Sequence, residues 1–292
     1  LRDRPVRGRL IRLGPLADAL LSRHDAHPAV TRMMGEALAL TAGLAAALKF
    51  RGSFSLQAKG DGAVPMLLAD CTDAGALRGY ARAAPAKLAE ALVEPEPAAG
   101  ALLGQGYLAF TCDQGLEMDR YQGIVAIEGA TLTEMTEHYF RTSEQLRTFV
   151  RLACERTAAG WRAGALIMER VAGAGGIDPD LDDEAQADAW RTALALAATL
   201  TPAEMLDDAL PGAQVLHRLF GLEGGLELDR PRVLSYGCRC SRARLAGVLS
   251  GFPADDLDHM ADDSGAISMT CEFCNLAFRF DRADVQAVAG RA

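Results

Sequence analysis

Four of the seven cysteines in this 292-residue chain fall in its last fifth, as Cys238-Arg239-Cys240 and Cys271-Glu272-Phe273-Cys274. Two close pairs joined by a loop long enough to fold back are the arrangement that supplies four thiolates to one tetrahedral zinc ion, because each pair is already half of the coordination sphere. The stretch between the pairs, Ser241 to Thr270, has that length. A region so constrained folds as a small module around its metal rather than around a large apolar core. The first pair is C-x-C where the usual half-site is C-x-x-C, and this spacing holds two sulfurs close along nearly extended backbone. A disulfide there would be strained and easily reduced. Thiolates are also the form that peroxide attacks, so a closed four-cysteine site is readable either as a purely structural zinc ribbon or as an oxidation sensor.

The rest of the sequence limits what surrounds this module. The length favours two domains over one, and 50% hydrophobic with 24% charged residues is enough apolar material for a sizeable core. A formal charge of -9 opposes general nucleic-acid binding, which needs clustered positive potential. The odd cysteine count, with Cys71, Cys112 and Cys154 scattered singly, does not suit a secreted disulfide framework and indicates a reducing compartment, the cytoplasm. The first largely apolar segment, Ala37 to Leu48, lies too far in for a secretory signal and is too short to span a bilayer.

Along the chain, Arg2, Arg4, Arg7, Arg9 and Arg12 alternate with Val6, Leu10 and Ile11 as on the solvated face of a strand, and Ala29 to Phe50 reads as a long buried helix. Ser53–Lys59 and Met66–Cys71 around the Gly60-Asp61-Gly62 turn form a hairpin; Arg78–Ala83, Tyr107–Asp113, Gln122–Glu128, Thr148–Cys154 and Ala163–Val171 read as further strands. Thr131 and Glu134 make a capping box that opens a helix reaching about Phe140. The expected fold is α+β: an antiparallel-rich sheet with packed helices over 1–172, a hinge and helical linker over 173–230, and a four-cysteine module over 231–292. The glycines 173, 175 and 176 and the acidic run from Asp178 to Glu184 mark the hinge, since five carboxylates close behind the glycines rule out a phosphate cradle. Two helical segments follow, Asp183 to Leu200 and, from the Thr201-Pro202-Ala203-Glu204 cap, on to Phe220 with Pro211-Gly212 interrupting. Their apolar residues, among them Trp190, Leu194, Met205, Leu206, Leu219 and Phe220, need a partner surface, expected on the sheet of the first domain, either as permanent core or as a face that becomes exposed on undocking.

No catalytic constellation is visible. His24, His27, His138, His217 and His259 have no metal-protease spacing, no nucleophile elbow or phosphate loop occurs, and Cys112 has no sequence-level partner. Four cysteine ligands leave zinc no open position for a reacting water.

Several segments carry a resemblance that covers most of the chain. Leu77-Arg78-Gly79-Tyr80-Ala81-Arg82 after the Gly60-Asp61-Gly62 turn, Tyr107-Leu108-Ala109-Phe110-Thr111, Arg120-Tyr121-Gln122-Gly123-Ile124-Val125, Glu137-His138-Tyr139-Phe140 and Ser143-Glu144-Gln145-Leu146 resemble the first domain of the redox-regulated heat-shock holdases, the 33 kDa chaperonins. His217-Arg218-Leu219-Phe220 is similar to that family's linker, and both cysteine motifs, from Gly237 to Ser241 and from Cys271 to Asn275, are similar to its zinc module. The resemblance implies an ATP-independent holdase and not an enzyme, inactive while reduced and bound to one Zn2+ through Cys238, Cys240, Cys271 and Cys274. It implies that oxidation pairs Cys238 with Cys240 and Cys271 with Cys274, releases zinc and unfolds module and linker. Unfolded, aggregation-prone clients and, in the oxidised state, a second copy are the implied partners, with no membrane and no nucleic acid among them. The chain starts at Leu1, so a few N-terminal residues are expected to be missing or processed. A zinc-ribbon adaptor for nucleic acid or protein and a thiol oxidoreductase are the competing classes.

Overall fold

Helix-forming and strand-forming stretches alternate in the chain, and they fold into two compact units, Leu1–Tyr236 and Gly237–Ala292. The computed structural model describes residues 1, 4–94, 96–115, 118, 120–171, 183–222, 225–281 and 284–285. The glycine hinge and most of the acidic run, 172–182, lie outside the described residues, as does Arg2.

The first unit begins with β1 (Val6–Arg12), α1 (Pro15–Leu21) and the long α2 (Pro28–Ala47), followed by β2 (Ser53–Gly60), β3 (Met66–Thr72) and β4 (Ala76–Arg82). Two short helices, α3 (Pro85–Ala91) and α4 (Ala99–Leu103), lead to β5 (Gly106–Asp113), β6 (Tyr121–Ala126), α5 (Leu132–Thr142) and the hairpin β7 (Thr148–Thr157) and β8 (Gly160–Arg170). Then come α6 (Asp183–Ala198), α7 (Pro202–Leu206), α8 (Gly212–Phe220) and the two-residue β9 (Ser235–Tyr236).

These strands make two sheets where the sequence suggests one. A six-stranded sheet runs β6-β5-β2-β3-β4-β9, antiparallel except for β4 with β9, and a three-stranded sheet runs β1-β8-β7. The split arises because β1 pairs with β8, Val6 opposite Arg170 through Arg12 opposite Gly164, a pairing that no local pattern announces. Helix α2 touches strands of both sheets. It is therefore buried on nearly every side, from Val30 to Ala45, with Leu38 and Leu40 fully inaccessible. Its start follows from Pro28 in the first turn and from the Nδ1 of His27, which accepts the Ala29 amide at 3.2 Å. Its glycines permit the approach of the three-stranded sheet: a Cβ at Gly35 would run into Cys154 Sγ, and one at Gly43 into Ile11 and Ile167. The capping boxes at Thr131/Glu134 and Thr201/Glu204 both form.

The three-stranded sheet has a second apolar face, and α6 to α8 cover it. Val6, Ala153, Leu166 and Met168 pack with Trp190, Ala197, Met205, Val215, Leu219 and Phe220 in one buried cluster. The expected partner surface thus exists. The second helical segment is interrupted at Pro211-Gly212 as expected, with α7 ending at Leu206 and α8 starting only after Pro211. The N-terminal arginines depart from the solvated-face reading: Arg7 is exposed, but Arg9 pairs with Glu169 at 3.1 Å and Arg12 turns toward α7.

Candidate metal centre

The second unit is built from α9 (Arg242–Leu249), α10 (Ala254–Met260) and the hairpin β10 (Ile267–Thr270) and β11 (Ala277–Phe280). Each cysteine pair sits where an element begins or turns. Ser241, next after Cys240, caps α9 by accepting the Arg244 amide at 3.2 Å, so the C-x-C pair is held just ahead of a fixed helix start. The C-x-x-C pair occupies the turn that closes the hairpin. Thr270 pairs with Ala277, the Cys271 amide donates to Leu276 O at 3.0 Å, and the Asn275 amide donates to Cys271 O at 2.8 Å. Asn275 takes φ 55, a left-handed conformation that asparagine tolerates better than most residues.

These two supports bring four sulfurs together. Sγ of Cys238 lies 3.3 Å from that of Cys240 and 3.7 Å from that of Cys271, and Cys240 lies 3.4 Å from Cys274. All four lie within 4.8 Å of one another, and they are the cluster among the described residues that could hold a metal ion. Four sulfurs bound tetrahedrally to zinc at about 2.3 Å stand about 3.8 Å apart, so the donor set and its spacing fit such an ion. At the hairpin turn the two cysteines are shifted in opposite directions. Burial raises Cys271, while the Phe273 and Cys274 amides directed at its sulfur oppose the rise. Burial also pushes Cys274 up, but the Leu276 amide and the thiols of Cys240, Cys238 and Cys271 outweigh it and bring its pKa down to about 7. Burial and its sulfur neighbours raise Cys240.

Around the sulfurs the apolar core is small: Ala246, Leu249, Ile267, Phe280 and Val285. Arg242 stacks 4.8 Å over the Phe280 ring and pairs with Asp284 at 2.5 Å, tying the start of α9 to the end of the hairpin. From sequence, Ser241 and Asn275 had no assigned role, although their residue types suit a helix cap and a left-handed turn; the Arg242 contacts had no sequence signal.

The three single cysteines are elsewhere and differently placed. Cys71, Cys112 and Cys154 are buried in the first unit, and burial pushes Cys71 up to about 11 and Cys154 up to about 12, with Cys112 also raised. Thiols held this far from ionisation are poor nucleophiles. The histidines are not gathered at the cluster; His27 caps α2 and His138 lies 3.6 Å from Glu128.

Fold and site together define a two-unit α+β protein, one unit with its own core and helices docked on its second sheet, the other small and centred on four convergent thiols. A family model described as Hsp33 protein matches residues 1–281. The 33 kDa chaperonin of Caulobacter vibrioides strain NA1000 / CB15N is 39% identical over 291 residues, covering 96% of this chain and 92% of the relative. That of Pseudomonas syringae pv. tomato is 37% identical over 289 residues, with 98% and 90% covered. The crystal structure of the 33 kDa chaperonin (heat shock protein 33 homolog) from Thermotoga maritima superposes with a TM-score of 0.80 over 98% of this chain and 94% of that one, at 23% identity, which supports the fold. The chain belongs to the Hsp33 family. Membership gives it a heat-shock chaperone role, and with it the binding of unfolded client proteins.

Proposed function

We propose that this chaperone is an ATP-independent holdase controlled by the oxidation state of Cys238, Cys240, Cys271 and Cys274. The observation that carries the reading is the convergence of four thiols in a unit whose apolar core, among the described residues, is otherwise five buried side chains. In the reduced state the four sulfurs hold one Zn2+, and the ion, when bound, supplies folding energy that so small a core lacks. At Cys274 the Leu276 amide and the neighbouring thiols favour the thiolate form that ligation requires, while at Cys271 two amides offset part of the cost of burial.

Oxidation removes the ligands. Each close pair of thiolates gives up two electrons to one peroxide, which takes two protons from solvent and leaves as two waters, and Cys238 joins Cys240 while Cys271 joins Cys274. Disulfide sulfurs are weak ligands, zinc is released, and the unit loses what held it folded. The helices α6 to α8 then leave the three-stranded sheet, so that the faces carrying Trp190, Met205, Leu219 and Phe220 on one side and Val6, Leu166 and Met168 on the other become available to unfolding clients under oxidative stress. The same exposed surfaces support a homodimer in the oxidised state.

Other features support this reading against its competitors. Four sulfur ligands fill a tetrahedral shell, which favours a non-enzymatic site. The net charge of -9 disfavours a nucleic-acid adaptor. No helix of the described residues is long and apolar enough to cross a membrane, and the use of four cysteines as metal thiolates suits the reducing cytoplasm.

Zinc release and aggregation of a thermally unfolding client, followed on the same sample before and after peroxide at elevated temperature, test the proposal, with Cys271→Ser as the variant unable to form the second disulfide. Zinc loss accompanied by suppression of aggregation only after oxidation is the expected result. Zinc that stays bound, or equal suppression by the reduced protein, would leave a structural ribbon and no switch.

A further inference from the structure

Apolar contact alone does not explain how α6 to α8 sit on the three-stranded sheet. Three arginines of the sheet reach across to them. Arg151 Nη1 donates to Ala198 O at 3.0 Å, at the end of α6. Arg12 Nε donates to Met205 O at 2.8 Å, and its Nη1 donates to Leu210 O. Arg162 Nε donates to Asp208 Oδ2 at 2.7 Å. Two of the three therefore converge on the connection between α7 and α8, where the break at Asp207 to Pro211 leaves backbone carbonyls without helical partners.

The Arg162 pair is asymmetric in a way that matters for undocking. Its guanidinium side chain is 7% exposed, whereas the Asp208 side chain is 47% exposed. On its own side Arg162 is fixed by Nη1, which donates to Ala159 O at 3.0 Å and Trp161 O at 2.9 Å. When the connection lifts, Asp208 regains water but Arg162 stays in the sheet with its closest countercharge gone, and a buried charge stripped of its partner is costly. Asp18, which accepts the Trp161 amide at 2.9 Å and the Ser22 hydroxyl at 2.8 Å, also feels Arg162, and Glu155 lies opposite Arg162 in the β7–β8 pairing. Arg12 adds to the penalty, since undocking breaks the bonds of its Nε and Nη1 to Met205 O of α7 and Leu210 O of the connection; its Nη2 is buried without a partner even in the docked state and offsets part of that gain.

We infer that Arg162 and Arg12, closing on Asp208, Met205 O and Leu210 O, form a polar latch that sets how readily α7 and α8 leave the three-stranded sheet. The latch gives the docked state a geometric specificity that the cluster around Phe220 and Met205 lacks, because apolar burial is non-directional and tolerates a shifted or half-released helix. It deepens the proposed function and rests on it in one respect: only if the covered face serves clients does the latch set a threshold for chaperone activity.

The test is Asp208→Asn in the full-length, reduced, zinc-loaded protein, a change at a half-exposed side chain that keeps its shape. Hydrogen exchange over 202–220 is expected to accelerate by about tenfold, while α2 and the zinc content stay as in the parent. Arg162→Gln is expected to accelerate the same segment, and the double variant to be no faster than Arg162→Gln alone, because the two side chains act as one unit. Unchanged exchange over 202–220 in Asp208→Asn, or simple additivity in the double variant, overturns the latch. If exchange accelerates and the reduced variant suppresses client aggregation better than the parent, latch and proposed function both stand. If exchange accelerates and suppression is no better, the latch stands and the covered face is not the client surface.

Discussion

The same side chain is used in opposite ways in the two units. In Leu1–Tyr236 the cysteines are filler: Cys154 packs against Gly35 of α2, Cys71 lies among the buried residues of the main cluster, and burial lifts both far from ionisation, to about 12 and about 11. In Gly237–Ala292 the four cysteines face one another, and at Cys274 donors from the backbone and from neighbouring thiols overcome burial and bring the pKa to about 7. Burial by itself silences a thiol, whereas burial with converging donors prepares it for a metal or an oxidant. The apolar cores differ correspondingly. The first unit has two large buried clusters, one built around α2 and one between the three-stranded sheet and α6 to α8, whereas the apolar cluster of the second unit has five buried residues among the described ones, so the second unit has far less hydrophobic burial to stand on.

The strongest challenge to that contrast is removal of the proposed zinc ion. A structural tetrathiolate zinc site is worth about 10–16 kcal/mol, so a tight chelator should abolish amide protection over 237–285 and leave exchange in α2 unchanged, as followed by hydrogen exchange and mass spectrometry. Protection that survives chelation would show that the small core suffices. Next in size is the exchange of one sulfur for oxygen in each unit. Cys274→Ser should eliminate stoichiometric zinc, whereas Cys154→Ser should keep it and cost the first unit about 1–3 kcal/mol in denaturant unfolding by placing a hydroxyl in an apolar site. Equal zinc loss in both variants would erase the distinction.

Phe280→Ala sharpens the comparison within the second unit. Truncating this fully buried ring costs about 3–5 kcal/mol, and since folding and metal binding are coupled there, the loss should be read out as zinc affinity weakened by about 100-fold or more. The smallest effect belongs to the first unit. Burial between α2 and β7 raises Glu36 from 4.5 to about 7, against the opposing pull of Arg32. The folded state thus holds a proton that the unfolded state releases between about pH 4.5 and 7, and stability falls as pH rises through that window. Glu36→Gln should flatten that slope and raise Tm by about 2–4 °C at pH 7.5, measured by calorimetry, with no change in zinc content. A variant whose pH dependence matches the parent would show that Glu36 is ionised in the folded protein.

Much of the chemistry was legible because it is local in sequence. The spacing of Cys238 with Cys240 and of Cys271 with Cys274 brings two half-sites within reach of one another, and the caps at Thr131 and Thr201 act within three residues of the helices they start. The short helices α1, α3 and α4 were less legible. Pro15 and Pro85 mark two of their starts, but segments of five to seven residues carry too little periodicity to declare a helix.

What the sequence alone determined is therefore the four-sulfur site, the strand and helix material and the need of α6 to α8 for an apolar partner, since each depends on residues close together in the chain. Only the tertiary structure decided that the strands divide into two sheets, that α2 is buried between them, and that Arg12 reaches Met205 O and Leu210 O, 193 and 198 residues away. Local geometry constrains neighbours along the backbone, but a contact across such distances is selected by the packing of the whole unit, and a polar side chain shows whether it meets water or a buried acceptor only once that packing is known.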